Sequence, residues 1–262
     1  MEAAARKLRL AVLVAVVIPV FNEEGSLPLV LDAIPMELVS RVVVADNGST
    51  DGSAAAAARA PDGSPRPRVE VVSEARRGYG SACLAGLARL ASDPPDVAVF
   101  LDGDFSDHAE ELPSLLAPIA RGEADLVIGS RVLGRREPGA LLPQARAGNA
   151  LATRLIALAT GFRYTDLGPF RAIRWSSLQT LGMEDRDFGW TCEMQVKALA
   201  RGLRVLEVPV SYRRRVGVSK IAGTLTGTVR AGLKILGWIA REARAARRGA
   251  RRMGAPGETQ RR

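Results

Sequence analysis

The first half of the chain alternates short β-branched apolar runs with helical stretches, and several of the apolar runs end on acids. Residues 10–18, 41–45, 69–72, 97–101 and 125–129 read as strands. Between them, residues 23–34 carry Leu27, Leu31 and Ile34 at helical spacing, and residues 52–60, 79–91 and 112–120 also read as helices. Continuous apolar strands separated by helices are buried on both faces, which argues for an α/β fold with a mostly parallel sheet covered by helices. Ligands of such sheets bind where the carboxyl ends of the strands turn outward. That places Asn22-Glu23-Glu24, Asp46-Asn47 and Asp102-Gly103-Asp104 along one rim. One acidic strand end is common; three on one rim point to a site.

The second half is less regular. Residues 135–144 hold two prolines and read as a loop, residues 147–159 and 191–201 as helices, and residues 205–210 as a strand. A single domain over residues 8–222 is expected, followed by an amphipathic helix at 223–240 and a low-complexity tail at 241–262 that is expected to stay disordered. Composition agrees: 47% hydrophobic and 25% charged residues exclude a disordered or collagen-like chain. The net charge of +9 is uneven, because residues 241–262 hold eight Arg and two Glu. The basic character therefore belongs to an appendage. Cys83 and Cys192 lie far apart without CxxC spacing, which argues against a zinc site or a disulfide framework and for a reducing compartment. His108 is the single histidine, is expected at the surface, and leaves little room for Ser-His-Asp chemistry. The basic start at Arg6, Lys7 and Arg9 imitates a signal peptide but lacks a small-residue cleavage site, and no apolar run reaches spanning length. A soluble or peripheral, cytoplasmic protein is expected.

Asp102 and Asp104, separated by one residue at a strand end, are placed to share a hard divalent cation. Mg²⁺ or Mn²⁺ prefers such oxygen ligands and takes the rest from water and phosphate. A solvated Asp-Gly-Asp turn is the bland alternative. Asp46 opens Asp46-Asn47-Gly48-Ser49-Thr50-Asp51-Gly52-Ser53 and is placed to accept a hydrogen bond from the edge of a base, while Ser49-Thr50-Asp51 reads as a turn and helix cap. Arg76 and Arg77 precede a helix, where acids are more usual, so a ligand phosphate or carboxylate is a candidate partner there; the alternative is a solvated basic loop.

These motifs, with Pro19-Val20-Phe21-Asn22-Glu23-Glu24, Arg77-Gly78-Tyr79-Gly80 and Gly129-Ser130-Arg131, stand in the order and spacing of family 2 glycosyltransferases. The chain most resembles the branch of dolichyl-phosphate and polyprenyl-phosphate sugar synthases. The resemblance runs from about residue 14 to 222, through Asp166-Leu167-Gly168-Pro169-Phe170-Arg171, Glu193-Met194 and Arg215-Val216-Gly217-Val218-Ser219-Lys220. It implies a GT-A fold and an inverting, metal-dependent transfer from a nucleoside-diphosphate sugar of UDP-glucose or GDP-mannose type. Under it Pro19, Phe21 and Glu23 wrap the nucleoside, Asp46 meets the base, Asp102 and Asp104 hold the metal, and Arg131 contacts phosphate. Ser106 stands where such synthases often carry Gln, a weaker metal ligand. Asp166 and Glu193 are candidate acids on the acceptor side; otherwise Asp166 caps a turn and Glu193 pairs with Lys197 at i,i+4. Arg215, Ser219 and Lys220 resemble a segment that closes over phosphate, and Arg146 is a further candidate for the acceptor phosphate.

A polyprenyl phosphate is the favoured acceptor, with a soluble or protein-bound hydroxyl as alternative. A nucleotidyltransferase is disfavoured because Asn22-Glu23-Glu24 occupies the place of a Gly-rich basic loop after the first strand. The basic amphipathic stretch at 223–240 and the tail are candidates for peripheral contact with an anionic membrane at its inner face. Nucleic acid is not expected, since the arginines lack interleaved aromatics.

Overall fold

In a computed structural model of the chain, residues 12–59, 63–217, 236–238 and 240–241 are described. Seven strands form one sheet: β1 Val14–Val20, β2 Arg41–Asp46, β3 Val69–Ser73, β4 Val97–Phe100, β5 Leu126–Ser130, β6 Arg171–Arg174 and β7 Val205–Pro209. The order across the sheet is β3-β2-β1-β4-β6-β5-β7. Pairs β1–β2, β2–β3, β1–β4 and β5–β7 are parallel, whereas β6 runs antiparallel to both β4 and β5. The mostly parallel sheet is thus as expected, with one reversed strand in its middle.

Alternation along β1 explains the layers. Val14, Val16, Ile18 and Val20 face one core with Leu112, Leu115 and Ile119, while Ala15 and Val17 face a second core with Cys83, Phe100 and Trp190. Helices cover both faces: α1 Leu27–Ala33, α2 Ser53–Ala58, α3 Tyr79–Leu90, α4 Leu112–Ala120, α5 Pro143–Thr160, α6 Trp175–Leu181 and α7 Trp190–Ala200. Both thiols are buried and free.

Several boundaries differ from expectation. The first strand begins at Val14, and α1 begins at Leu27 with Pro28 in its first turn. Helix α5 begins at Pro143, inside the stretch read as a loop, because proline at the first helical position lacks only an N–H that would be unpaired anyway. Strand β6 and helix α6 were not expected. The four residues Arg171-Ala172-Ile173-Arg174 make a short run with charged ends, yet Arg171 is fully buried. Its guanidinium donates to the carbonyls of Thr191, Leu167 and Gly168. Residues 236–238 are helical, within the stretch expected as a helix; most of 223–240 and nearly all of 241–262 lie outside the described residues. Among the described residues no helix is long and apolar enough to cross a membrane.

Candidate active site

The carboxyl ends of β1, β2 and β4 open on a cleft of about 460 Å³, within the usual range for small-ligand sites. After β1 the chain turns sharply at Asn22, whose φ of 55° lies in the left-handed region that Asn tolerates. Its backbone N–H donates to the Ser49 hydroxyl at 2.9 Å, and its side-chain oxygen accepts from the Thr50 N–H at 2.7 Å. The Glu23 N–H donates to the Ser53 hydroxyl. Ser49 and Thr50 therefore tie the β2 loop to the β1 loop, while Asp51 accepts the Ser53 N–H and Glu24 the Gly52 N–H at the start of α2.

Asp46 is nearly buried and accepts the Ser49 N–H at 3.1 Å; its neighbour Asn47 lines the cleft. Asn47 donates to the carbonyls of Glu74 and Arg76 and accepts the Gly78 N–H at 2.7 Å, so it shapes the loop carrying Arg77. The Arg77 guanidinium lies 3.6 Å from the centre of the Phe21 ring and donates to the Asn47 carbonyl. Phe21, Glu23 and Arg77 thus form one wall with Pro19.

Asp102 and Asp104 lie on the cleft floor, beyond the end of β4. The Tyr79 hydroxyl donates to Asp102 at 2.9 Å. Burial, and then the charge of Asp104, push the Asp102 carboxyl up to about 7. Asp104 accepts the Ser106 N–H at 2.9 Å and the Ser106 hydroxyl, so Ser106 braces the acid. Phe105 between them has a φ of 64°, a conformation costly for an aromatic residue. Asp107, three residues beyond Asp104, is also buried; burial and the charges of Asp102 and Asp104 push its carboxyl well up.

The segment after β7 returns across this floor. The Arg213 N–H donates to the Ser106 carbonyl at 2.9 Å and the Val216 N–H to the Asp104 carbonyl at 3.0 Å. This brings the Arg215 guanidinium within 3.3 Å of both Glu23 and Asp104. Ser219 and Lys220 lie outside the described residues.

The remaining candidates behave differently. Arg131 forms a two-pronged pair with Asp166, Nε to Oδ2 and Nη2 to Oδ1, both at 2.8 Å, and its own N–H adds a third bond to Oδ2. Asp166 is fully buried. Its loop is held by Glu207, which accepts the N–H groups of Thr165 and Asp166, and by Asn149 on α5, which accepts the Leu167 N–H and donates to the Thr165 carbonyl. Glu193 is also fully buried. It accepts the N–H groups of Glu184 and Asp185, each at 2.8 Å, and pairs with Lys197 at 2.8 Å. As placed, Glu193 has the i,i+4 partner and does not face the cleft as a base. Arg146 is exposed on α5, away from the cleft lining.

The turn that Glu193 holds forms the opposite wall, where Phe188 lines the cleft. Its main chain meets the start of α3 directly: the Ser81 N–H donates to the Arg186 carbonyl at 2.9 Å. A Cβ at Gly78 would lie 2.0 Å from the Arg186 carbonyl oxygen, and one at Gly80 2.0 Å from that of Asp185. On the outer side of the same turn, Asp185 accepts the Trp238 indole N–H at 3.1 Å.

Asn47, Tyr79, Asp107 and Phe188 were not singled out from sequence. Tyr79 stood within the Arg77-Gly78-Tyr79-Gly80 motif without a role of its own, and Asn47 only beside Asp46 on the rim. Two carboxylates repelling one another on a cleft floor fit a hard divalent cation whose further ligands come from water or a diphosphate. Among the described residues no three His, Cys, Asp or Glu side chains cluster to hold a metal by themselves.

Comparison with known proteins agrees with this geometry. Residues 15–180 match the model for glycosyl transferase family 2. An uncharacterized glycosyltransferase of Mycobacterium tuberculosis is 42% identical over 219 residues, 82% of this chain and 93% of its own. An undecaprenyl-phosphate mannosyltransferase of Micrococcus luteus is 34% identical over 229 residues, 82% of this chain and 89% of its own. Among solved structures, glucosyl-3-phosphoglycerate synthase from Mycobacterium tuberculosis, in complex with Mn²⁺, UDP and phosphoglyceric acid, superposes with a TM-score of 0.71. It is 21% identical, and the match covers 93% of this chain and 82% of that one. This likeness concerns the fold, which is of GT-A type.

Proposed function

For a chain that belongs to glycosyl transferase family 2, as this one does, we propose inverting transfer of a hexose from a nucleoside-diphosphate sugar to a polyprenyl phosphate. The chain is a glycosyltransferase; the donor, cation and acceptor named here are inferred. The observation that carries the reading is the acid pair Asp102 and Asp104 on the floor of a cleft, with the Arg215 guanidinium beside Asp104.

Mg²⁺ or Mn²⁺ held by Asp102 and Asp104 would offset the negative charge that builds on the departing diphosphate. Arg215 lies beside that position, and a donor phosphate can take over the guanidinium from Glu23 and Asp104. Phe21 and Arg77 supply a flat wall for the nucleoside, with Asp46 behind it for the base. Arg131, which does not line the cleft, is the candidate for a further phosphate contact, and its two-pronged bond to Asp166 fixes its orientation. A phosphate acceptor is already an anionic nucleophile and needs no strong base. That suits a site in which Asp166 and Glu193 already spend their carboxylates on other groups. The Mn²⁺ and UDP named for the glucosyl-3-phosphoglycerate synthase support the donor class, and the Micrococcus luteus relative's name supports the lipid acceptor. Such a reaction would run peripherally at the inner face of the cell membrane.

The test is a panel of nucleotide sugars with Mg²⁺ or Mn²⁺ and undecaprenyl phosphate, comparing wild type with Asp104→Ala. Metal-dependent labelling of the lipid, lost in the variant, is expected. Donor hydrolysis without lipid product would move the acceptor to a soluble hydroxyl or phosphate. No turnover of any donor would overturn the reading.

A further inference from the structure

The turn that carries Phe188, residues 183–189, is neither helix nor strand, so several of its N–H groups need side-chain acceptors. Two buried carboxylates supply them. Glu193 accepts from Glu184 and Asp185, and Asp185 in turn accepts the Asp187 N–H through Oδ1 at 2.7 Å. A buried carboxylate also needs a cation or a further donor. Glu193 has Lys197 at 2.8 Å. Asp185 has Trp238, whose indole N–H donates to Oδ2 at 3.1 Å. A Cβ at Gly189 would lie 2.2 Å from the same Oδ2, so this carboxylate is wedged inside its own turn.

Trp238 lies beyond β7 and beyond residues 15–180, which carry the family match. Among the described residues of its stretch it alone is buried; 236, 237, 240 and 241 are exposed. Its ring centre stands 4.8 Å from the Lys197 ammonium and 5.0 Å from the Arg241 guanidinium, and Arg241 pairs with Glu184 at 2.9 Å. Both cations are thus tied to acids that belong to the turn or hold it. We infer that Trp238 is a positioning residue of the cleft: through Asp185 it fixes the turn that carries Phe188, and with it the wall opposite Phe21 and Arg77. The indole suits this work because it offers an apolar ring to the two cations and, at its edge, an N–H to the carboxylate. A wall released from that hold would occupy its binding position only part of the time, and apparent affinity falls by the same fraction. The inference needs only glycosyl transfer in this cleft and is independent of the donor and acceptor proposed above.

The experiment is amide hydrogen exchange of the full-length protein without ligands, for wild type, Trp238→Phe and Asp185→Asn. Steady-state kinetics with a nucleotide sugar and undecaprenyl phosphate are measured alongside. Trp238→Phe keeps an aromatic ring beside the cations and loses the N–H. In this variant exchange over residues 184–189 should quicken by about fivefold or more, with β1, β2 and β4 unchanged. KM for one of the two substrates should rise by a similar factor while kcat holds. Asp185→Asn/Trp238→Phe should go no further than Asp185→Asn alone, because both changes break the same link. Unchanged exchange over 184–189 in Trp238→Phe would overturn the inference. Exchange that quickens over the whole chain, with a lower melting point, would make Trp238 a general packing residue and likewise overturn it. So would faster local exchange with both KM values unchanged. Local quickening in a chain that turns over no nucleotide sugar would uphold the hold of Trp238 on the wall and remove the donor and acceptor proposed above.

Discussion

The two banks of the cleft use the same residue types for different work. On the bank built from β1, β2 and β4, polar groups face the cleft: Glu23, Asp102 and Asp104 line it, and Arg215 serves Glu23 and Asp104 as a shared counter-ion. Behind the other bank, where Phe188 is the lining residue, Asp166 and Glu193 have no solvent exposure and hold backbone N–H groups and a cation each. A carboxylate whose oxygens are already bonded orients its neighbours; one pushed against a like charge waits for a cation. An acid in a motif is thus a candidate cation ligand where the fold leaves it facing the cleft beside another acid.

The largest expected effect lies on the open bank. Asp104→Ala should lower transfer by about 10³-fold or more, as loss of a metal ligand removes several kcal/mol of transition-state stabilisation, while the melting point holds or rises. Single-turnover assays beside thermal melts check it. On the closed bank the emphasis reverses. Arg131→Ala leaves Asp166 buried without its cation, and breaking such a pair costs about 3–5 kcal/mol. The melting point should therefore fall, and Arg131→Ala/Asp166→Ala should cost less than the sum of the single changes. If Asp166→Asn kept the wild-type melting point and lost turnover, the division of labour between the banks would fail.

Acidity adds a test on the open bank. The folded Asp102 carboxyl, at about 7, lies above its unfolded value. Its contribution to stability is present below the usual carboxylate range and is lost as pH rises through about 7. Metal-free protein carrying Asp102→Asn should accordingly melt about 3 °C or more above wild type at pH 8, with little difference at pH 4. Mn²⁺ binding to wild type should weaken as pH falls below about 7, because the proton competes for the ligand; calorimetry at two pH values reads it. The smallest effect is expected at the nucleoside wall. Arg77→Ala removes one cation–ring contact worth about 0.5–1 kcal/mol and should raise the donor KM by a few-fold with kcat unchanged.

Legibility from sequence runs along the same division. The strand ends with their acids could be read because a parallel strand buried on both faces is a continuous apolar run, and the residues just past its end must lie on the rim. Strand β6 could not, since Arg171 looks like a surface residue until three carbonyls from distant or neighbouring turns accept its guanidinium. The motif positions Asp166 and Glu193 were visible, but their occupations were not. Glu193's partner Lys197 lay at a helical spacing that sequence could suggest, whereas Arg131 and Asp166 meet across 35 residues. Tyr79 and Phe188 reach the cleft only through a tertiary contact that no local pattern announces.

That contact, where Gly78 and Gly80 lie against the carbonyls of Asp185 and Arg186, is a seam of main chain. Apart from the Ser81 hydroxyl, which also donates to the Arg186 carbonyl, a seam of this kind depends little on side-chain identity. As long as the two glycines remain, the wall of Phe21 and Arg77 and the wall of Phe188 can each change without refitting the other. One joint made mainly of backbone thereby lets a single scaffold vary its two walls separately.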